Sequence, residues 1–371
     1  MNLFDFLNDG MSEDKFKQRL DEAFDNHLPI ADKVSQLRKD LNDTKTILEI
    51  VAQCLDKTLV IDTVGLFYQQ CKLHFEVVQS YHYVAEKTTP IKNTQLWQDS
   101  VAWLTIYYED IFGYAEVDER FIEIKEAPIL WYFKWVVSNI VESPHIIKKQ
   151  VDDYLKLLGY YYTHIFDLGE RSLYKLVVMQ GIKMGNHQLV ETYLNKWIDA
   201  EASHFDDCWA CQVDDIIRAY VFLGDYDKAL EWSEQILNGS VKCGEVPEVT
   251  NSLIAQAYFH TKQLQKAKEL LESGYKLVKS QGQFMRPIAE FMRVAILLGE
   301  TDIAKMIYDD SKALFEECES PFEKMLFVIE ASKLDIAEKS KLLTETRRLA
   351  KAFDERNEND YYTSQLPMLY S

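Results

Sequence analysis

The stretch "DDCWACQVDDIIRAYVFLGDYDKALEWSEQIL", residues 206–237, decides the fold. Its apolar residues recur three and four apart, the period of a helix with one buried face. Gly224 interrupts the pattern, and Ala229 follows five residues later. A glycine can turn the chain between two helices, and a small side chain lets the second helix lie close against the first. The stretch therefore reads as a helical hairpin. A C-x-x-C pair, Cys208 and Cys211, stands at its front and raises the question of chemistry.

The same elbow recurs along the chain. Gly185 precedes Val190 in "MGNHQLV", Lys262 precedes Ala267 in "TKQLQKA", and Gly299 precedes Ala304 in "LGETDIA". The small residues at 190, 229, 267 and 304 stand 39, 38 and 37 apart, and a weaker fifth copy ends at Ala337 in "ASKLDIA". A single hairpin cannot bury its apolar face, so neighbours must stack. Glycine (13) and proline (8) are scarce and no long alternating runs occur, so the expected class is all-α. Residues 166–371 form the expected repeat domain. Residues 1–165, with a first helix starting at Ser12, read as an N-terminal helical region of degenerate repeats or a separate bundle.

The 371 residues carry a net charge of −19 and are 47% hydrophobic, enough for a sizeable core. Such acidity argues against nucleic acid as partner, because phosphate binding needs clustered Lys and Arg. No basic, apolar leader opens the sequence, and the most apolar stretch, "APILWYFKWVVSNIV", is interrupted by Lys134 and too short to span a bilayer. Six cysteines are too few for a disulfide framework. These features set the expectation of a cytoplasmic protein with reduced thiols and no membrane partner.

Tyr220, Gly224, Tyr226 and Ala229, with Ala255, Tyr258 and Ala267, resemble the motif of the tetratricopeptide repeat family over roughly residues 170–340. Gly181 stands where the family has an aromatic, and the spacing exceeds its usual length of about 34. The resemblance implies a right-handed α-solenoid whose first helices line a concave groove. Carried over, the groove positions are Lys175, Met179 and Lys183, then Asp214, Arg218 and Phe222. Ser252, Gln256 and His260 follow, then Arg286 and Arg293. Five cations facing one groove of an acidic chain suit an extended peptide or its carboxylate. The alternative is that they pair with nearby Asp and Glu.

Antiparallel packing places the end of a hairpin's second helix beside the start of its first. Cys243 in "CGEVP" can thereby approach Cys208 and Cys211, with His204 at the same end. These four have the composition of a Cys3His zinc site. The competing reading is buried cysteines that merely pack. The segment also resembles a group of bacterial repeat proteins carrying C-x-x-C and C-x-E-V-P, in which a His follows the proline. Here that position is Glu248, which leaves His204 or a carboxylate as fourth ligand.

No phosphate-cradling, nucleophile-elbow or metalloprotease motif occurs, so no catalytic residue is assigned. The expected function is a non-enzymatic adaptor holding a peptide or protein segment in its groove. Two alternatives stay open: a peptide-responsive regulator with N-terminal effector helices, and an acidic inhibitor or immunity protein of a basic enzyme.

Overall fold

The structure, a computed structural model, describes residues 129–367 apart from 204 and 319, together with the isolated Glu116 and Glu119. The helices expected before residue 129, including the one from Ser12, lie outside the described residues. The chain divides at Asn139/Ile140 into two compact units. The first contributes helix α1 (Ile129–Asn139). Everything below concerns the second.

The regular elements of that unit are all helices, with no strand among the described residues. A 3-10 turn (Ile140–Glu142) leads to α2 (Lys148–Tyr160), whose end loosens into a π-turn at Tyr161–Ile165. Then come four hairpins. The first is α3 (Arg171–Lys183) with α4 (His187–Asp199), and the second α5 (Trp209–Leu223) with α6 (Tyr226–Leu237). The third is α7 (Asn251–His260) with α8 (Leu264–Val278), and the fourth α9 (Met285–Leu297) with α10 (Thr301–Glu317). A last pair, α11 (Pro321–Ala331) and α12 (Lys339–Asn357), completes the unit.

Burial divides these helices into two kinds. α6 buries only Ala229, Ser233 and Ile236, one stripe at helical spacing. α10 does the same with Ala304, Ile307, Tyr308 and Ser311. By contrast α5 buries ten of its positions and α9 nine, on every face. A helix with one apolar stripe lies outside, and one buried all round lies inside. The packing agrees: α3, α5, α7, α9 and α11 each touch the next in that series, and each partners its own outer helix.

The four elbows share a backbone conformation. Gly185, Gly224 and Gly299 have φ of +69°, +79° and +76°, and Lys262 adopts the same left-handed region at +65°. The aligned small residues Val190, Ala229, Ala267 and Ala304 are all buried. Val190 is the bulkiest of them, and Gly181 makes room for it: a Cβ at Gly181 would stand 2.9 Å from Val190 Cγ2. The glycine at this place in the first hairpin is thus a packing adjustment.

The fifth elbow departs from the alignment. Ala337 is exposed, in the turn before α12, and it does not seat one helix on another. Residues 332–338 form a longer connection than the earlier elbows. Thr346 and Ala350 take the buried small positions instead, and Thr346 Oγ1 donates to Val328 O at 3.1 Å.

The end of the unit returns to its beginning. The Arg356 guanidinium donates to the carbonyls of Val141 (2.5 Å), Ser143 (2.9 Å) and Ile146 (3.3 Å). Asn359 Nδ2 donates to Met184 O, and Tyr362 Oη to Lys183 O, both at 2.7 Å. Asp354 holds this return in shape by accepting from Tyr362 N, Thr363 N and Thr363 Oγ1.

Candidate functional site: an arginine-lined cavity and a thiol cluster

The inner helices and the returning C-terminal segment line a half-open cavity of about 240 Å³. Five of the expected groove residues line it: Arg218 and Phe222 from α5, Gln256 from α7, and Arg286 and Arg293 from α9. Among the described residues, Glu290 supplies the only carboxylate of the lining. The apolar wall includes Tyr226, Phe322, Tyr361 and Tyr362.

Glu290 organises the polar side. It accepts from Arg218 Nη1 at 2.5 Å and from Ser252 Oγ at 2.7 Å, and it meets Arg286 Nε at 3.4 Å. Burial alone would raise its pKa, but the Arg218 and Arg286 charges and these hydrogen bonds hold it below the usual carboxylate range. Arg218 also reaches Asp214 Oδ2 at 3.6 Å, and Asp214 accepts from Thr250 Oγ1 at 2.6 Å. Burial raises the Asp214 pKa against the Arg218 charge. Arg293 Nε donates to Glu330 Oε1 at 2.8 Å, a carboxylate that also holds Lys333. Arg286 is the least satisfied of the three arginines: its Nε is sealed from solvent without a hydrogen-bond partner.

The remaining expected groove residues stand elsewhere. Lys175 is buried between Asp207 (2.5 Å) and Asp215 (2.7 Å), and Lys183 is buried against Glu142 (2.6 Å). Burial would lower the Lys175 pKa, yet the two aspartates push it up. Both lysines tie neighbouring segments together. Met179 is buried in the core around α3 to α6. His260 stacks on Tyr226 with ring centroids 4.1 Å apart, and burial lowers its pKa. Ser252 serves Glu290 and does not line the cavity.

Near the same wall, Glu323 occupies the first turn of α11, where Ser320 Oγ caps the helix by accepting from Glu323 N at 3.2 Å. Burial, then the Glu142 charge, push the Glu323 carboxyl up to about 7, against the pull of Arg286 and Lys183.

At the far end of the second hairpin three thiols converge. Cys208 is the N-cap of α5, its Sγ accepting from Cys211 N at 3.4 Å. Cys211 Sγ lies 3.2 Å from Cys208 Sγ and 3.7 Å from Cys243 Sγ. All three sulfurs fall within 4.8 Å of one another, and no carboxylate or imidazole joins them among the described residues. The expected fourth ligand, His204, lies outside the described residues. Glu248 stands apart from the cluster, its Oε2 buried without a hydrogen-bond partner. Burial opposes the Cys208 thiolate, but hydrogen bonds from Cys211 and neighbouring groups bring its pKa below the ordinary value. Burial pushes the Cys211 thiol up.

Tyr226, Glu290, Phe322, Tyr361 and Tyr362 were not legible as site residues. Only the adjacent aromatics of "NDYYTSQ", after the last helix, could have drawn attention. No family model, no curated protein and no solved structure matches the chain.

Proposed function

We propose that this chain is a non-enzymatic binding protein, an α-solenoid of the tetratricopeptide type that takes the carboxylate-bearing end of a peptide or protein in its inner cavity. One observation carries the reading: of the three guanidinium groups that line the cavity, Arg218 and Arg293 are each held by a carboxylate, whereas the Arg286 Nε is buried without a hydrogen-bond partner. Arg286 has one ionic contact, at 3.4 Å, to a carboxylate that Arg218 already holds. An incoming carboxylate would supply the acceptors this guanidinium lacks. Phe222, Tyr226 and Tyr361 offer an apolar wall for the adjoining side chain.

The size of the cavity sharpens the expectation from a long extended segment to a chain end. Its 240 Å³ falls below the range of roughly 300–1,000 Å³ that encloses a drug-sized ligand. Glu290, held ionised, is a poor proton acceptor, which supports binding over catalysis. The described cysteines form no disulfide, and no described helix is long and apolar enough to cross a membrane.

The test is a binding array of short peptides with free carboxyl ends beside their C-terminal amides, probed with the full-length chain. Free acids bind and amides do not. Arg286→Gln weakens the hits about 10- to 100-fold, the worth of a charge-assisted hydrogen bond. Equal retention of acids and amides, or an Arg286→Gln variant that binds as the wild type does, removes the proposal.

A further inference from the structure

We infer that Cys208, Cys211 and Cys243 form a metal site for a single thiophilic divalent cation of the zinc class, bound as three thiolates with a fourth position open to water. The inference is independent of the cavity. It rests on where the hairpin places three sulfurs. Zinc–thiolate bonds of about 2.3 Å in tetrahedral geometry put neighbouring sulfurs about 3.8 Å apart. The Cys211–Cys243 separation is 3.7 Å, and the Cys208–Cys211 separation is 3.2 Å. Small rotations of side chains would open the shorter edge to the tetrahedral value.

The backbone supports this placement before any metal arrives. Cys208 and Cys211 sit one turn apart at the start of α5, so their sulfurs share a face. Cys243 comes from the loop after α6, and that loop is fastened at both ends. Val241 N donates to Gln235 O at 2.9 Å, and Cys243 N to Val246 O at 3.2 Å. Val246 is buried in the core formed by the first two hairpins, which anchors the loop against α5. Cys211 N, donating to Cys208 Sγ, provides the kind of contact that steadies a metal-bound thiolate. Cys208 is exposed and the other two are half-buried, so one side of the cluster faces solvent. That side is where an ion enters and where a water completes four-coordination.

The competing chemistry is a Cys208–Cys211 disulfide. It would use two of the three sulfurs and give Cys243 no role. It would also need an oxidant to remove two electrons and two protons. Metal binding uses all three sulfurs and releases only protons, up to three per ion.

The experiment uses the full-length chain, purified under reduction, stripped with a chelator and titrated with cobalt(II) as a spectroscopic stand-in. One equivalent produces a thiolate-to-cobalt charge-transfer band with intense tetrahedral d–d absorption, and zinc(II) then displaces it. Cys208→Ser keeps a competent helix cap, so it folds, and Cys243→Ser alters only the loop. Each lowers metal affinity by at least about 100-fold while far-ultraviolet circular dichroism stays helical. Cys318→Ser binds as wild type. Full charge-transfer intensity in Cys243→Ser, or wild-type affinity no tighter than that of Cys208→Ser, overturns the assignment. So does air oxidation that consumes two thiols in a wild-type chain that takes up no cobalt.

Discussion

The ring of Tyr361 occupies the space that a side chain on Gly185 would need: a Cβ built there would overlap Tyr361 Cβ and Cγ. Gly185 is the elbow of the first hairpin, and Tyr361 follows the last helix. Tyr361 also packs against His187 and Phe222, with centroids 5.9 Å and 5.6 Å away. One missing Cβ therefore lets the end of the unit close over its beginning and complete the cavity wall.

Substitution at two elbow glycines separates this contact from backbone strain. Gly185 and Gly224 both have positive φ, yet a Cβ at Gly224 meets nothing within 4 Å. Gly224→Ala should cost about 1–2 kcal/mol, the left-handed penalty alone. Gly185→Ala should cost about 1–3 kcal/mol more, from overpacking against Tyr361. Urea unfolding of the two variants measures the difference. Equal losses would mean that Tyr361 does not sit on Gly185.

Gly181 and Val190 make a complementary pair across α3 and α4. Gly181→Ala places a methyl 2.9 Å from Val190 Cγ2 and 3.4 Å from Leu189 Cβ. Overpacking costs about 1–3 kcal/mol, and the gain of about 0.5–1 kcal/mol from replacing a glycine inside a helix offsets part of it, so the expected net loss is about 0.5–2 kcal/mol. Val190→Ala in the same chain should restore part of it, because the other hairpins carry alanine there. A double-mutant cycle with no favourable coupling energy would contradict the fit.

The hairpins were legible because two local needs recur at fixed distance: a left-handed turn and a small residue five places on. Lys262 shows how far this goes, since position in the pattern, not residue type, marked it as an elbow. The thiol cluster was legible for the same reason, antiparallel helices returning the chain to its start. The partners of the cations were not. Lys175, Arg218 and Arg293 find Asp207, Glu290 and Glu330 at sequence separations of 32, 72 and 37. An acidic chain offers many candidate partners, and only the stacking geometry selects among them. The C-terminal return was equally hidden, because Arg356 satisfies carbonyls more than two hundred residues away.

Lys262 gives a test of the elbow in which stability should rise. A non-glycine residue at φ +65° carries strain of about 1–2 kcal/mol, partly offset in Lys262→Gly by the greater entropy of an unfolded glycine. The net gain should be about 0.5–1 kcal/mol in thermal or urea unfolding, while Lys262→Ala gains nothing. The Lys262 ammonium lies 5.8 Å from the Phe259 ring, an exposed contact worth little. A Lys262→Gly variant less stable than Lys262→Ala would show that the elbow does not need its left-handed turn.

Glu323 makes stability depend on pH near neutrality. Its carboxyl is pushed up to about 7 by burial and by Glu142, from an ordinary value of 4.5, with Arg286 and Lys183 only partly compensating. Between those two values the folded chain holds a proton that the unfolded chain has released. Stability from this group therefore falls as pH rises from 4.5 through about 7, and the full penalty applies above. Ionising a carboxyl so displaced costs up to about 3 kcal/mol. Glu323→Gln keeps the shape and removes the charge. It should match the wild type near pH 4.5 and exceed it by about 1–3 kcal/mol at pH 8. Because Glu323 opens α11 beside Phe322 of the cavity wall, the wild-type chain should also loosen there at alkaline pH. Hydrogen exchange of the α11 amides, faster at pH 8 than the intrinsic rate change explains and normalised by Glu323→Gln, reports that loosening. A stability difference between the two chains that stays constant from pH 4.5 to 8 would show that Glu323 titrates as an ordinary carboxylate.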